Sequence, residues 1–147
     1  MSELEKVRQW VSTYPGAKRI GDLRIDYAAP SPDNGSIDPT GLVEVSRKED
    51  ILGNITIENQ YNFSLYFVFY KSPDDDDAAA YNAEWLMDFQ RWVREQSIRK
   101  QTPVFGDDPL RETAKAQNGT IYAADEEGTA VYTVQLSFNF IKKYEVN

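Results

Sequence analysis

A strict alternation runs through residues 129–144 and limits what the chain can become. Ala130, Tyr132, Val134, Leu136, Phe138 and Phe140 fall at every second position, with Val131, Thr133, Gln135, Ser137, Asn139 and Ile141 between them. A period of two belongs to a strand. Six apolar residues on one side fix its register, because a slip of one position would turn all of them to the wrong face. The opposite face is small and mostly polar, suited to solvent, a subunit or a lumen.

The rest of the pattern supplies partners for this strand. Residues 61–71 place Tyr61, Phe63, Leu65, Phe67 and Phe69 on one face and Tyr66, Val68 and Tyr70 on the other. A strand apolar on both sides is expected to be covered on both, by a helix layer and, in so small a domain, by a neighbouring subunit. Residues 120–124 pair with the last strand through Asp125, Glu126, Glu127 and Gly128. Leu23, Ile25 and Tyr27 alternate with Asp22, Arg24 and Asp26 as a half-buried strand. Residues 42–46 and 54–58 read as two more strands around the charged link Arg47, Lys48, Glu49 and Asp50.

Two segments have helical spacing. Leu4, Val7, Val11 and Tyr14 mark a short helix with Ser2 as its cap, ended by Pro15 and Gly16. Residues 78–99 form the main helix, with Tyr81, Trp85, Phe89, Trp92, Val93 and Gln96 on one stripe, widened by Leu86 and Met87. Asp74, Asp75, Asp76 and Asp77 sit at its positive end; Arg94, Arg99 and Lys100 sit near its negative end. Core packing is the reading for Trp85, Phe89 and Trp92. Trp10 lies off the first helix's stripe and is expected to be exposed, touching a neighbour.

Long loops are expected at 28–41, with Pro30, Pro32, Pro39 and the turn Asp33-Asn34-Gly35, and at 101–118, around Pro103, Gly106 and Pro109. Within the second, residues 111–117 suit a strand or a helical turn. The order predicts one α+β domain over 1–147. Its mostly antiparallel sheet is packed by an N-terminal helix and a longer central one, and it ends in a long β-hairpin.

Composition then removes chemistry. The 147 residues include no cysteine and no histidine. Thiol nucleophiles, zinc thiolates and Ser-His-Asp triads are therefore excluded. A net charge of −8 argues against a nucleic-acid reader held by phosphate neutralisation. The closest glycines, Gly16 and Gly21, are five positions apart, too far for a Rossmann G-x-G, and Asp22 and Leu23 stand where a P-loop needs Lys and Ser or Thr, so neither phosphate cradle is present. Ser97-Ile98-Arg99-Lys100 matches S-x-x-K but falls at a helix end without its companion motifs, so chance is the better reading. Asp22 and Asp26 are the carboxylates on a strand available as a base, and their alternation points them outward. Four consecutive aspartates, Asp74 to Asp77, do not converge on a cation; a solvated helix start is preferred, with a surface facing passing DNA as another reading. The expectation is a protein that is not an enzyme, with no cofactor and no metal. Residues 1–6 carry no leader pattern, and the apolar run at 65–70 is too short to cross a bilayer, so a cytoplasmic protein without a membrane role is expected. Three Asn-x-Ser/Thr triplets, at Asn54, Asn62 and Asn118, are read as chance.

The chain resembles the tail terminator, or tail-completion, proteins of tailed bacteriophages and prophage-derived tail particles. The resemblance rests on element order and on three stretches. These are Trp85-Leu86-Met87-Asp88-Phe89-Gln90-Arg91-Trp92-Val93, Thr102-Pro103-Val104-Phe105-Gly106, and the strand from Gly128 through Phe140. It is nearest to prophages with contractile tails from Gram-positive hosts. The resemblance implies a structural protein of the virion or tail particle, assembled in the host bacterial cytoplasm. Such proteins form a hexameric homo-oligomeric ring on the head-proximal end of the tail tube and stop its growth. They hold the last ring of sheath protein, meet the head–tail connector, and let DNA pass without specific binding. Subunit and partner contacts are then expected at Trp10, Tyr61, Phe63, Tyr66, Tyr70, Pro30, Pro32, Asp33, Asn34 and Phe105. Acids facing the lumen are expected at Asp74, Asp75, Asp76, Asp77, Glu126 and Glu127. The alternatives are a head–tail stopper, connector or minor capsid protein. From another class comes a ligand-binding or cyclase-like domain with a pocket ringed by Tyr66, Tyr70 and Tyr132.

Overall fold

The computed structural model describes residues 1–147 apart from 22, 27, 29–31, 73, 125–127 and 147. Five strands form one sheet: β1 (Leu23–Ile25), β2 (Asn34–Glu49), β3 (Ile55–Tyr70), β4 (Thr113–Ala124) and β5 (Thr129–Tyr144). Their spatial order is β1-β2-β3-β5-β4. Only the short β1 runs parallel to its neighbour; the other pairings are antiparallel. β3 and β5 pair without a register break from Ile55 opposite Tyr144 to Tyr70 opposite Thr129.

Two helices, α1 (Glu3–Ser12) and α2 (Asp76–Ile98), cover one face of this sheet. Both start on the caps their sequences provide. The Ser2 hydroxyl accepts from the Glu5 N–H, and the Asp75 carboxylate accepts from the Ala78 N–H, so each satisfies an otherwise orphaned helix donor. Asp76 and Asp77 then lie in the first turn of α2, where the helix dipole favours negative charge. The buried layer is largely aromatic. Trp85 stacks on Phe89, Phe67 meets both rings edge-on, and Tyr14 closes over them from the end of α1. Such edge and stacked pairs add stabilisation beyond the area they bury. From the sheet come Phe63, Leu65, Phe67 and Phe69 on β3 and the six alternating apolar residues of β5, all buried.

One polar group crosses this layer. Asn82 on α2 is fully buried and donates to the Tyr70 carbonyl and the Tyr132 hydroxyl. Its own oxygen accepts from Arg19, whose guanidinium lies 3.9 Å from the Phe69 ring centre and 4.3 Å from that of Tyr81. The stacking lowers the exposure of the cation without removing its attraction to the ring faces.

The α+β class and the closing hairpin match the expectation, and several element limits differ from it. Residues 34–41, expected in a loop, open β2; Pro39 is tolerated because the strand bulges between Pro39 and Gly41 on the outer side of the sheet. β2 continues through Arg47, Lys48 and Glu49, which were expected to form a link. The two strands expected at 54–58 and 61–71 are one continuous strand, β3 (Ile55–Tyr70). Thr113 already starts β4, which kinks at Asn118 and Gly119, where Asn118 has a φ of 59°. Tyr81 and Met87 are exposed, so the buried stripe of α2 runs through Asn82, Trp85, Leu86, Phe89 and Val93 instead. A small polar residue, Asn82, supplied the helical repeat that hydrophobicity alone assigned to Tyr81.

The Phe89 ring is completely buried among Tyr14, Phe67, Trp85 and Trp92. Phe89→Ala should lower unfolding free energy by about 3–5 kcal/mol, with Phe89→Leu losing less, as read from urea unfolding curves.

Candidate assembly surfaces

β1 covers β2 only at Gly35, Ser36 and Ile37. Beyond Ile37, among the described residues, no strand pairs with the outer side of β2. From Gly41 to Glu49 every residue of β2 is exposed. Leu42 keeps 56% of its surface in contact with solvent, and Val43 and Val45 each keep 49%. The hairpin tip continues the apolar surface, with Ile51 fully exposed. The turn beneath it is well built: the Asp50 carboxylate accepts from the Leu52 and Asn54 N–H groups and from the Asn54 amide. Residues 40–54 thus form an ordered arm with an open hydrogen-bonding edge. Such an edge is a template for another strand unless it is blunted.

The other edge of the sheet is treated differently. The Ala114 N–H donates to the Ser97 hydroxyl at 3.0 Å, and the Gln90 amide donates to the Ala116 carbonyl at 3.3 Å. Side chains of α2 therefore satisfy backbone groups that β4 turns away from β5. Beside them lies a groove of about 850 Å³ between α2 and residues 113–117 of β4. Its walls carry the exposed apolar side chains Met87 and Ile98 and the cations Arg91, Arg94 and Lys115. The entrance to β4 is anchored by Glu112, which is buried and accepts from the Phe105 and Gly106 N–H groups at 2.8 and 3.1 Å.

The helix-free face of the sheet is polar and internally bonded. Gln60 donates to Asn139, Asn139 donates to Glu58, and the Ser64 hydroxyl bonds to Gln135. Here Asp38 lies near Asp26. Burial, followed by the negative charge of Asp26, raises the Asp38 carboxyl above its ordinary pKa.

These surfaces sort the residues expected at interfaces. Trp10 is only 7% exposed. Its ring stacks on Trp92 and its indole N–H donates to Gln96, because α1 lies against α2 and turns this position inward. Phe63 and Phe105 are also buried within the protomer, meeting Phe138 and Tyr61. Expectations of exposed contacts at Trp10, Phe63 and Phe105 are therefore corrected: each ring is already covered by its own chain. Tyr61 is half-buried on Phe140, and burial together with Glu3 pushes its phenol up to about 12. Tyr66 is half-buried against Tyr122, and Tyr70 is exposed with its hydroxyl on Ser72. Tyr132 points into the core on the opposite face from Tyr66 and Tyr70, so the three do not ring one pocket. Pro32 and Asp33 are exposed, and Asn34 is half-buried at the start of β2. Asp74, Asp76 and Asp77 are exposed, while Asp75 is spent on the helix cap. Asp26 is exposed just past the end of β1. Pro30, Glu126, Glu127 and Asp22 lie outside the described residues.

The arm and the cationic groove were missed in the sequence. Leu42, Val43 and Val45 have the pattern of an ordinary strand, and alternation carries no mark of whether a neighbour is present. The groove joins residues 87–98 to 113–117, which only the fold brings together.

No protein-family model matches the chain, and no curated protein sequence is similar to it. No described helix is long and apolar enough to cross a membrane.

Because its folded pKa is raised, Asp38 favours the fold most when protonated. That contribution is complete below the ordinary value of 3.8 and is lost as pH rises through the higher folded value. Asp38→Asn should therefore raise the urea midpoint at neutral pH, and the gain should fade on acidification below 3.8.

Proposed function

We propose that this chain is a tail terminator, a structural protein that closes the head-proximal end of a phage or prophage tail tube as a homo-oligomeric, hexameric ring. The observation that carries the reading is the open-edged arm at residues 40–54, an ordered surface with exposed leucine, valine and isoleucine side chains and no partner strand within the described chain. A monomer gains nothing from holding such a surface in water, whereas an assembling subunit buries it. The resemblance in element order and the quoted stretches adds the tail-specific part of the reading.

The polarity of the protomer suits a ring with two different faces. The arm tip lies at one end of the β3–β5 pair, and Tyr70 and Thr129 lie at the other. Asp74, Asp75, Asp76 and Asp77 follow at that second end, where the Lys71 N–H donates to the Gly128 carbonyl. The sixteen paired positions separate apolar tip from acidic turn by roughly 50 Å. In this reading the arms serve subunit contacts, and the two ends serve the tube with its sheath and the head–tail connector. The acidic turn lies along the path of DNA and repels phosphate, with no catalytic step required. The particle assembles in the host cytoplasm and the protein stays with the finished tail.

Tails assembled without this protein should have tubes of uncontrolled length in electron micrographs; tails of normal length would sink the reading. Changing Asp74, Asp76 and Asp77 together to Asn should slow DNA passage, measured as delayed genome delivery, while ring assembly persists. If assembly fails instead, these acids belong to an interface.

A further inference from the structure

We propose that the β2 arm of one copy lies in the groove between α2 and β4 of the next copy, as a sixth strand added to that sheet. The inference rests on the ring reading and names the contact that would close the ring.

The groove is built for a strand. It runs along a sheet edge beside a helix, the setting in which extended segments add by main-chain hydrogen bonding. The Ala114 N–H and the Ala116 carbonyl face away from β5, as the alternate groups of an open edge do. Ser97 and Gln90 now occupy them. An incoming backbone offers the same donors and acceptors, and the two side chains can turn toward it.

The arm has the complementary chemistry. Leu42 and Glu44 lie opposite Tyr61 and Asn59, on the helix-bearing side of the sheet. In a sheet continued into the next copy, that side faces the neighbour's α2. Leu42 then meets one of Met87 and Ile98, which lie about three turns apart on α2 and are 59% and 72% exposed. Glu44 meets Arg91, Arg94 and Lys115, three cations gathered on one groove of a chain with net charge −8. Beside the Ser97 and Gln90 hydrogen bonds to β4, the exchange displaces two ion pairs, Glu44–Arg47 and Arg91–Asp88. Both are exposed pairs between near neighbours on one element and contribute little.

Strand direction agrees as well. β2 is antiparallel to β3, β3 to β5, and β5 to β4, so β4 runs opposite to β2. A copy related by rotation about an axis along the strands places its β2 antiparallel to β4, and the alternation continues unbroken. The contact joins two different surfaces, so repetition closes a ring when the rotation closes. Arm-to-arm pairing about a two-fold axis would leave the cationic groove empty.

The test uses the intact chain across a dilution series, with oligomeric state read by native mass spectrometry and backbone amides by hydrogen exchange. Association should slow exchange in residues 41–47 and 113–117 together. Glu44→Arg and Arg94→Glu, both at exposed positions, should each weaken association about tenfold, and the combined variant should recover it. Slowing in the arm alone, with dimers as the end state, would mean two-fold pairing and overturn the proposal. Failure of the combined variant to recover association, or a monomer at every concentration, would overturn it too. Tail length separates the two readings. Rings that form through these edges while tails stay normal without the protein would defeat the terminator reading and leave this contact standing. Runaway tails with neither edge protected in the assembled ring would do the reverse.

Discussion

The sixteen-residue pairing of β3 with β5, roofed by aromatic rings, is the constraint on which the rest of the structure depends. Both strands are central, both carry their large side chains on the same face, and their register never breaks. Phe63, Leu65, Phe67 and Phe69 therefore stand opposite Leu136, Val134, Tyr132 and Ala130. That apolar plate must be covered, and α1 and α2 are the elements long and apolar enough to do it. Asn82 and Arg19 tie the plate to α2 at one end, where burial makes an unmade hydrogen bond costly.

The outer strands inherit a different situation. β2 must be long because it pairs with β3 over nearly its whole length, yet β1 shields only three of its positions. The result is an arm whose inner edge is satisfied and whose outer edge is open. At the opposite side the same problem is met by a helix: α2 reaches over β4 and lends Ser97 and Gln90 to its backbone. One edge offers strand groups and the other has them bonded to Ser97 and Gln90. The two edges of the sheet are thus asymmetric. Both the proposed ring and the proposed contact within it follow from that asymmetry.

Much of the architecture was legible in the sequence. Ser2 caps the first helix, the acidic run at 74–77 marks the start of the second, the alternation of 129–144 sets β5 residue for residue, and Trp85, Phe89 and Val93 point to the core. Boundaries failed where local signals and pairing compete. Pro39 and Gly41 look like loop residues, but an edge strand tolerates a missing N–H and a bulge, and the pull of β3 carries β2 through them. Trp10, Phe63 and Phe105 looked available for partners because composition cannot tell an aromatic ring buried in its own chain from one awaiting another. Glu112 went unnoticed because a single glutamate after a turn carries no signal until the Phe105 and Gly106 amides converge on it.

The sequence by itself determined the class of the fold, the cap of its first helix, the apolar face of its closing strand and the exclusion of cysteine and histidine chemistry. Each of these depends on residue type and local spacing, which the chain carries before it folds. Only the tertiary structure decided which strand edges stay open, which aromatics are already covered, and that Arg91, Arg94 and Lys115 share a groove beside Met87 and Ile98. Those properties depend on contacts between residues far apart in the chain. A period of two or 3.6 specifies which way a side chain points, and not what it finds there.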